Sequence, residues 1–366
     1  MLKFPRLGYL ILLSLSILSI TACASIGTQH SEQAPSHFSP SELSQPQSFI
    51  RVEGNRLLDE QGNDVRLRGL NIADPAKLLK QQQWNHALFA QIKSWGANIV
   101  RLPVHPQNWR QLGQQRYLAL LDDAVKWANS LNLYLIIDWH SIGYLPAGVF
   151  QHEMYATDLA ETKAFWHTIA SRYQGISTVA VYELFNEPTD LGGKAGSANW
   201  QDWKALNEQL IDIIYAQDRR VIPLVAGFNW AYDLRPVATQ PIAREGVAYT
   251  SHPYPQKTSN DIISQAQNFA LWQDTWGFVA SQYPLIVTEL GWVNADGHGA
   301  HIPVINDGSY GPQIVDFMEQ RNISWVVWVF DPEWSPTMIS DWQFTPTEQG
   351  RFFKQQLLKL NKADRN

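Results

Sequence analysis

The chain has 366 residues, with 34 acidic against 28 basic side chains and a formal charge of −6. That balance argues against a nucleic-acid partner and against a polybasic membrane patch, because both need clustered cations. A single cysteine excludes an intrachain disulfide, and 16 Trp with 13 Tyr form an aromatic load that suits flat apolar ligand faces as well as a core.

The chain opens with MLKFPRLGYLILLSLSILSITAC. Lys3 and Arg6 precede a mostly apolar stretch from Leu7 to Ile20 that is short for a membrane span, and small residues follow. The pattern predicts a secretory signal over residues 1–22. Its end, Ile20-Thr21-Ala22-Cys23, resembles the bacterial lipobox. The resemblance implies lipidation of Cys23 and a membrane anchor in the cell envelope, at the outer membrane if the envelope is Gram-negative, since Ala24 rather than Asp follows. An ordinary signal peptide with an incidental cysteine is the alternative. Residues 24–48 are rich in Ser, Gln and Pro without an apolar period, which predicts a flexible tether reaching about 25–30 Å as a random coil. Residues 49–366 then form one domain, of a length normal for an α/β barrel.

FIRVEGNRLLDEQGNDVRLRG carries two turn signals and predicts a small hairpin capping one end of that domain. Apolar strand-like runs then alternate with amphipathic segments. The strands fall at 65–72, 98–104, 133–140, 179–186, 221–227, 247–254, 285–292 and 323–330. Helices fall at 85–96, 116–131, 162–173, 200–217, 311–321 and 348–360. Eight such alternations imply a parallel sheet closed as a (β/α)₈ TIM barrel. A doubly wound open sheet is the alternative, but no Gly-rich dinucleotide loop follows the first strand to support it.

Chemistry in such a barrel belongs at the C-terminal ends of the strands. The polar and aromatic residues there are Asn71, Arg101, His140, Asn186, Glu187, His252, Tyr254, Glu289, Trp292 and Trp328. Two of them stand out. Glu187 in VYELFNEP and Glu289 in LIVTELGW are carboxylates at the ends of apolar runs, an expensive placement unless they are used or paired. Facing one another across a cleft, they have the makings of acid/base cleavage of a glycosidic bond.

The ordered set VRLRGLN, NIVRLPV, IIDWH, FNEP, SHPY, VTELGW and the late strand with Trp328 resembles the retaining β-glycanases of glycoside hydrolase family 5, over nearly all of residues 49–362. Carried over position by position, the resemblance implies Glu187 as general acid/base and Glu289 as nucleophile. It implies Asn186 as the partner of the sugar 2-hydroxyl, and Arg101 and Tyr254 as the groups that hold the nucleophile. His140 and His252 would be site histidines, and Trp328 the platform beneath the sugar. Arg101 should favour an ionised Glu289, while the apolar strand and the charge of Glu289 should keep Glu187 protonated.

Aromatic walls for a polymer are sought at Trp109, Trp139, Trp230, Trp292 and Trp334, each weighed against a packing role. Trp127 and Trp166 lie within helices and belong to the core. The long loops at 144–158, 189–199, 294–310 and 331–342 should shape the cleft. GGKAGS at 192–197 lacks the order of a phosphate loop, and HGAH at 298–301 reads as surface loop. Two carboxylates need no cofactor or metal.

The expected activity is endo-β-1,4-glucanase, acting as a monomer on a polysaccharide or oligosaccharide. A β-mannanase, a β-1,3-glucanase, an exo-glucosidase and a transglycosylase share the same chemistry. A glycan-binding surface lipoprotein with a dead site is the alternative from another class.

Overall fold

The computed structural model describes residues 38–45, 47–190 and 198–364. The signal segment, Cys23 and GGKAGS lie outside the described residues. A hairpin of β1 (Arg51–Glu53) and β2 (Arg56–Leu58) precedes the barrel, as its turn residues predict. The barrel strands are β3 (Arg68–Asn71), β4 (Ile99–Val104) and β5 (Tyr134–Trp139). After β5 come two short strands, β6 (Ile142–Tyr144) and β7 (Val149–Phe150). The chain then makes barrel strand β8 (Val179–Glu183) and the two-residue β9 (Glu187–Pro188). Barrel strands β10 (Ile222–Ala226), β11 (Ala248–Thr250), β12 (Ile286–Val287) and β13 (Ser324–Val327) complete the set.

The eight barrel strands are all parallel and run β11-β10-β8-β5-β4-β3-β13-β12. A parallel bridge between Tyr249 and Leu285 joins the two ends, so the ring closes. Gly69 is required here, because a Cβ at that position would lie 1.8 Å from the carbonyl oxygen of Ile99 on the neighbouring strand.

The two-residue period of a strand explains how one barrel holds both a core and a site. Val100, Leu102, Leu135 and Ile137 face the helices. Ile99, Ile136, Val181, Leu224, Ile286 and Val326 fill the barrel's lower layers, where Ile50 and Leu57 of the hairpin region close the bottom. Two residues further along the same strands, the inward positions become Arg101, Asp138, Glu183 and Thr288, all buried. The switch from apolar to polar within one interior file creates the site.

Helices pack outside. The helix Leu159–Arg172 starts where the Asp158 carboxylate accepts the Glu161 N–H at 2.7 Å, and it buries Phe165, Trp166 and Ile169. Trp166 Nε1 donates to the Leu184 carbonyl at 3.1 Å, and Trp203 Nε1 to the Ala226 carbonyl at 2.9 Å. Part of the tryptophan load thus ties helices to strand ends.

The tether ends earlier than its composition suggests. Phe38 is buried against Tyr173, with ring centroids 5.9 Å apart, and its N–H donates to the Arg172 carbonyl at 3.0 Å. The N–H groups of Ser44 and Gln45 both donate to Asn129 Oδ1 at 3.0 Å. A polar, Pro-containing segment can dock without an apolar period when one aromatic and a few backbone donors find partners.

Candidate active site

Site residues gather at the C-terminal mouth of the barrel, around a cavity of 560 Å³. His140, Asn186, Glu187, Tyr254, Glu289, Trp230 and Trp328 line it, joined by Gln151, Tyr155 and Lys257. Glu289 lies two residues past the end of β12. Glu187 is held differently: β8 ends at Glu183, and Glu187 sits on β9 in a small separate sheet, β7-β6-β9. Its N–H donates to the Ser141 carbonyl at 3.0 Å, and that of Asn186 to the Trp139 carbonyl at 3.1 Å. The backbone of the FNEP segment is thereby fixed to the end of β5 as well as to its own strand.

Arg101 organises the floor and is fully buried. Its Nε and Nη2 donate to the two carboxylate oxygens of Glu183 at 2.6 and 3.0 Å. Nη2 also reaches Asn186 Oδ1 at 2.7 Å and lies 3.0 Å from Asp138 Oδ2. Nη1 donates to Asn71 Oδ1 at 2.9 Å and to Glu289 Oε1 at 3.0 Å. Burial alone would lower the guanidinium's pKa, but Asp138, Glu183 and Glu289 outweigh it and raise it. Tyr254 donates its hydroxyl to Glu289 Oε2 at 2.8 Å, so both oxygens of that carboxylate are held by donors. Burial and the charges of Glu289 and Glu187 push the phenol well up, so it stays a donor.

Glu187 Oε1 faces His252 Nδ1 at 3.1 Å and Lys257 Nζ at 3.4 Å. On its other side His252 Nε2 lies 2.9 Å from Thr288 Oγ1, whose hydroxyl donates to Glu183 Oε1 at 2.9 Å. Thr288 must then accept from Nε2–H, which leaves the proton between Nδ1 and Glu187. Burial would lower the histidine's pKa, yet Glu289, Glu183 and Glu187 raise it. Burial would raise that of Glu187, yet the ammonium of Lys257 and the His252 hydrogen bond lower it. The free site thus favours ionised Glu187 beside protonated His252, against the expectation of a protonated Glu187. The reason is Lys257, a cation that no strand pattern brings to this spot.

His140 Nδ1 meets Asp138 Oδ2 at 2.6 Å. Burial, with His105, Arg101 and His252 nearby, holds the imidazole's pKa well below its usual value. Burial and the charges of Glu183, Glu289 and Glu187 push Asp138 well up in spite of Arg101. The His140 ring is parallel to that of Trp328, centroids 5.5 Å apart and planes within 5°, and Trp328 is likewise parallel to Trp334. The Trp328–Val329 peptide is cis.

The proposed aromatic walls divide. Trp230 lines the cavity, its indole N–H donating to Gln151 Oε1 at 2.9 Å. Trp292 does not line it. Its indole is buried among Tyr310, Phe352 and Phe353, and Gly311 lets the chain pass so close that a Cβ there would lie 2.7 Å from the ring. Trp292 therefore serves the packing between barrel and outer helices, and the choice of it as a substrate contact is corrected. Trp139, stacked on Phe165 at 4.1 Å, and Trp109, edge-on to the same ring, are buried in the same way. Of the HGAH pair, His301 lines the cavity rim and His298 does not.

Ligand atoms of Glu187, His252 and Glu289 lie within 4.8 Å of one another. A metal ion would fit that spacing, but Arg101 and Lys257 already bring two positive charges to the same carboxylates. The spacing also bears on catalysis. Retaining glycosidases hold their carboxyl groups about 5–5.5 Å apart and inverting ones about 6.5–9.5 Å. These two glutamates fall on the retaining side.

Residues 58–333 match the family model described as "Cellulase (glycosyl hydrolase family 5)". The crystal structure of a beta-glucanase from Saccharophagus degradans is 57% identical, with a TM-score of 0.88 over 89% of this chain and 97% of that one. It has also been solved in complex with cellotetraose. An endoglucanase from Clostridium saccharobutylicum is 26% identical over 285 residues, covering 76% of this chain and 56% of that protein. An endoglucanase from Butyrivibrio fibrisolvens is also 26% identical, over 265 residues, with 68% and 53% covered. The chain thus spans about half the length of these two relatives.

Proposed function

The chain belongs to the family 5 cellulases of the glycosyl hydrolases, and from that premise we propose that it is an endo-β-1,4-glucanase working by double displacement with retention. The observation that carries the reading is the pair of glutamates within 4.8 Å, one gripped by fixed donors and the other placed beside a proton source. Glu289 attacks the anomeric carbon. Arg101 and Tyr254 hold both its oxygens, which keeps it aimed. Glu187 protonates the departing glycosidic oxygen, and the proton it needs is available from His252 Nδ1, 3.1 Å away. Once the glycosyl-enzyme has formed, ionised Glu187 deprotonates the incoming water. The Arg101 contact turns the oxygen of the Asn186 amide away from the cavity, which leaves the amide NH₂ to donate to the sugar 2-hydroxyl.

Similarity to a beta-glucanase crystallised with cellotetraose supports gluco-configured over manno-configured substrate. A panel of carboxymethylcellulose, mixed-linkage glucan, mannan and short oligosaccharides, with products sized by chain length, tests the reading. Internal cleavage of carboxymethylcellulose is expected. Short products released only from chain ends would overturn endo action, and a preference for mannan would overturn the substrate.

The same proposal extends to location. The lone cysteine after a signal-like core supports a lipid anchor at Cys23 that holds a monomeric catalytic domain in the cell envelope. Palmitate labelling of the full chain that persists in Cys23→Ala would refute the anchor.

A further inference from the structure

Lys257 is a cation that the chemistry above does not call for. Its side chain is only 8% exposed, it lies three residues beyond Tyr254 in a short helix (Pro255–Thr258), and its ammonium sits 3.4 Å from Glu187 Oε1. It also donates to the backbone carbonyl of Trp230. That carbonyl is delivered by an unusual backbone. Asn229, Trp230 and Ala231 have φ of 56°, 53° and 60°, three successive left-handed residues without a glycine among them. The turn that positions the Trp230 indole thus also presents a carbonyl to the ammonium, so Lys257 joins one cavity wall to one catalytic carboxylate.

We propose that Lys257 is a positioning residue that sets the protonation of Glu187, holding it ionised in the resting enzyme and ready as the base of the second step. The proposal rests on the acid/base role of Glu187 given above.

The surroundings of Glu187 show why this cation matters. His252 faces it at 3.1 Å. Glu289 lies within 4.8 Å and opposes its ionisation. Asp138 from the end of β5 and the Tyr155 and Tyr254 hydroxyls also feel its charge. Arg101 is committed to Glu183, Asp138, Asn186, Asn71 and Glu289. Among the described residues, Lys257 is therefore the permanent cation that touches Glu187 directly. Burial lowers the lysine's own pKa while Glu187 and Glu289 hold it up.

In the first step Glu187 must carry a proton, so kcat/KM falls on the basic side as that proton is lost. Removing the cation raises the carboxyl's pKa and moves the basic limb to higher pH. The experiment compares pH profiles of kcat/KM on cellotetraose for the wild type, Lys257→Met and Lys257→Arg. The expected result is a basic limb displaced upward by about one pH unit in Lys257→Met, the low end for an opposite charge at this range. Lys257→Arg should keep the limb in place. On dinitrophenyl β-cellobioside, whose leaving group needs no acid, glycosylation should not show the displacement. An unmoved limb in Lys257→Met, with only KM or thermal stability altered, would make Lys257 a strut for Trp230 and overturn the proposal. Wild-type enzyme inert on every β-glucan, or full activity in Glu187→Gln, would instead sink the acid/base reading beneath it.

Discussion

Arg101 shows how much a single side chain can fix. Its five N–H donors are all spent on Glu183, Asn186, Asn71 and Glu289, and the side chain is fully buried, so the Glu289 carboxylate is held in place before substrate arrives. The two glutamates then differ in kind. Glu289 is clamped by donors on both oxygens, whereas Glu187 faces the His252 ring nitrogen at 3.1 Å and Lys257 at 3.4 Å. Glu289→Gln and Glu187→Gln keep the shape of the site and remove one function each. Both variants should lose at least ~10²-fold in kcat on β-glucan, with melting temperatures close to wild type. Near wild-type hydrolysis by either would disprove its assignment. At this scale the strand-end residues were legible, because a polar side chain ending an apolar run is conspicuous. Glu183 carries the same signal, a carboxylate inside an apolar strand, yet it is not among the strand-end residues read from the sequence. Lys257 carries none: a lysine shortly after a strand end is ordinary until folding brings it to a carboxylate from another strand.

At the scale of elements, what the barrel strands do was plain in the sequence, and what surrounds them was not. All eight runs became strands because apolar residues on both faces suit a sheet buried on both sides. The helices Pro106–Leu112 and Gln265–Thr275 were not foreseen, since the first is only seven residues long and the second buries a single residue, Trp272. Nor was the β7-β6-β9 sheet, whose strands of two or three residues are too brief for alternation to show. Trp292 failed as a wall for a related reason: the strand-end position was right, but the outer helices supplied Tyr310, Phe352 and Phe353 to cover it. The segment before the hairpin is the clearest case of docking without a pattern. Phe38 is the one aromatic in that polar stretch and is 3% exposed. Phe38→Ala should destabilise the domain by about 3 kcal/mol, the usual cost of deleting a buried phenyl ring. Denaturant unfolding would measure it, and a midpoint equal to wild type would mean that the segment adds nothing to the fold.

For the whole molecule, the closed barrel turns scattered strand ends into one ring of functional groups. Asn71, Arg101, His140, Glu187, His252 and Glu289 come from six separate stretches of chain, yet hydrogen bonds and short ion pairs connect most of them. The ring's chemistry follows from its composition: four buried carboxylates, Asp138, Glu183, Glu187 and Glu289, share the cations Arg101 and Lys257 and the proton of His252. Such a cluster suits a reaction in which one carboxylate stays ionised to attack while another gives up a proton and takes one back. The most direct test is to trap the covalent intermediate. Incubation with dinitrophenyl 2-deoxy-2-fluoro-β-cellobioside, followed by digestion and mass spectrometry, should place one glycosyl adduct on Glu289. An adduct on any other side chain, or none together with initial hydrolysis products of inverted anomeric configuration, would contradict double displacement through Glu289.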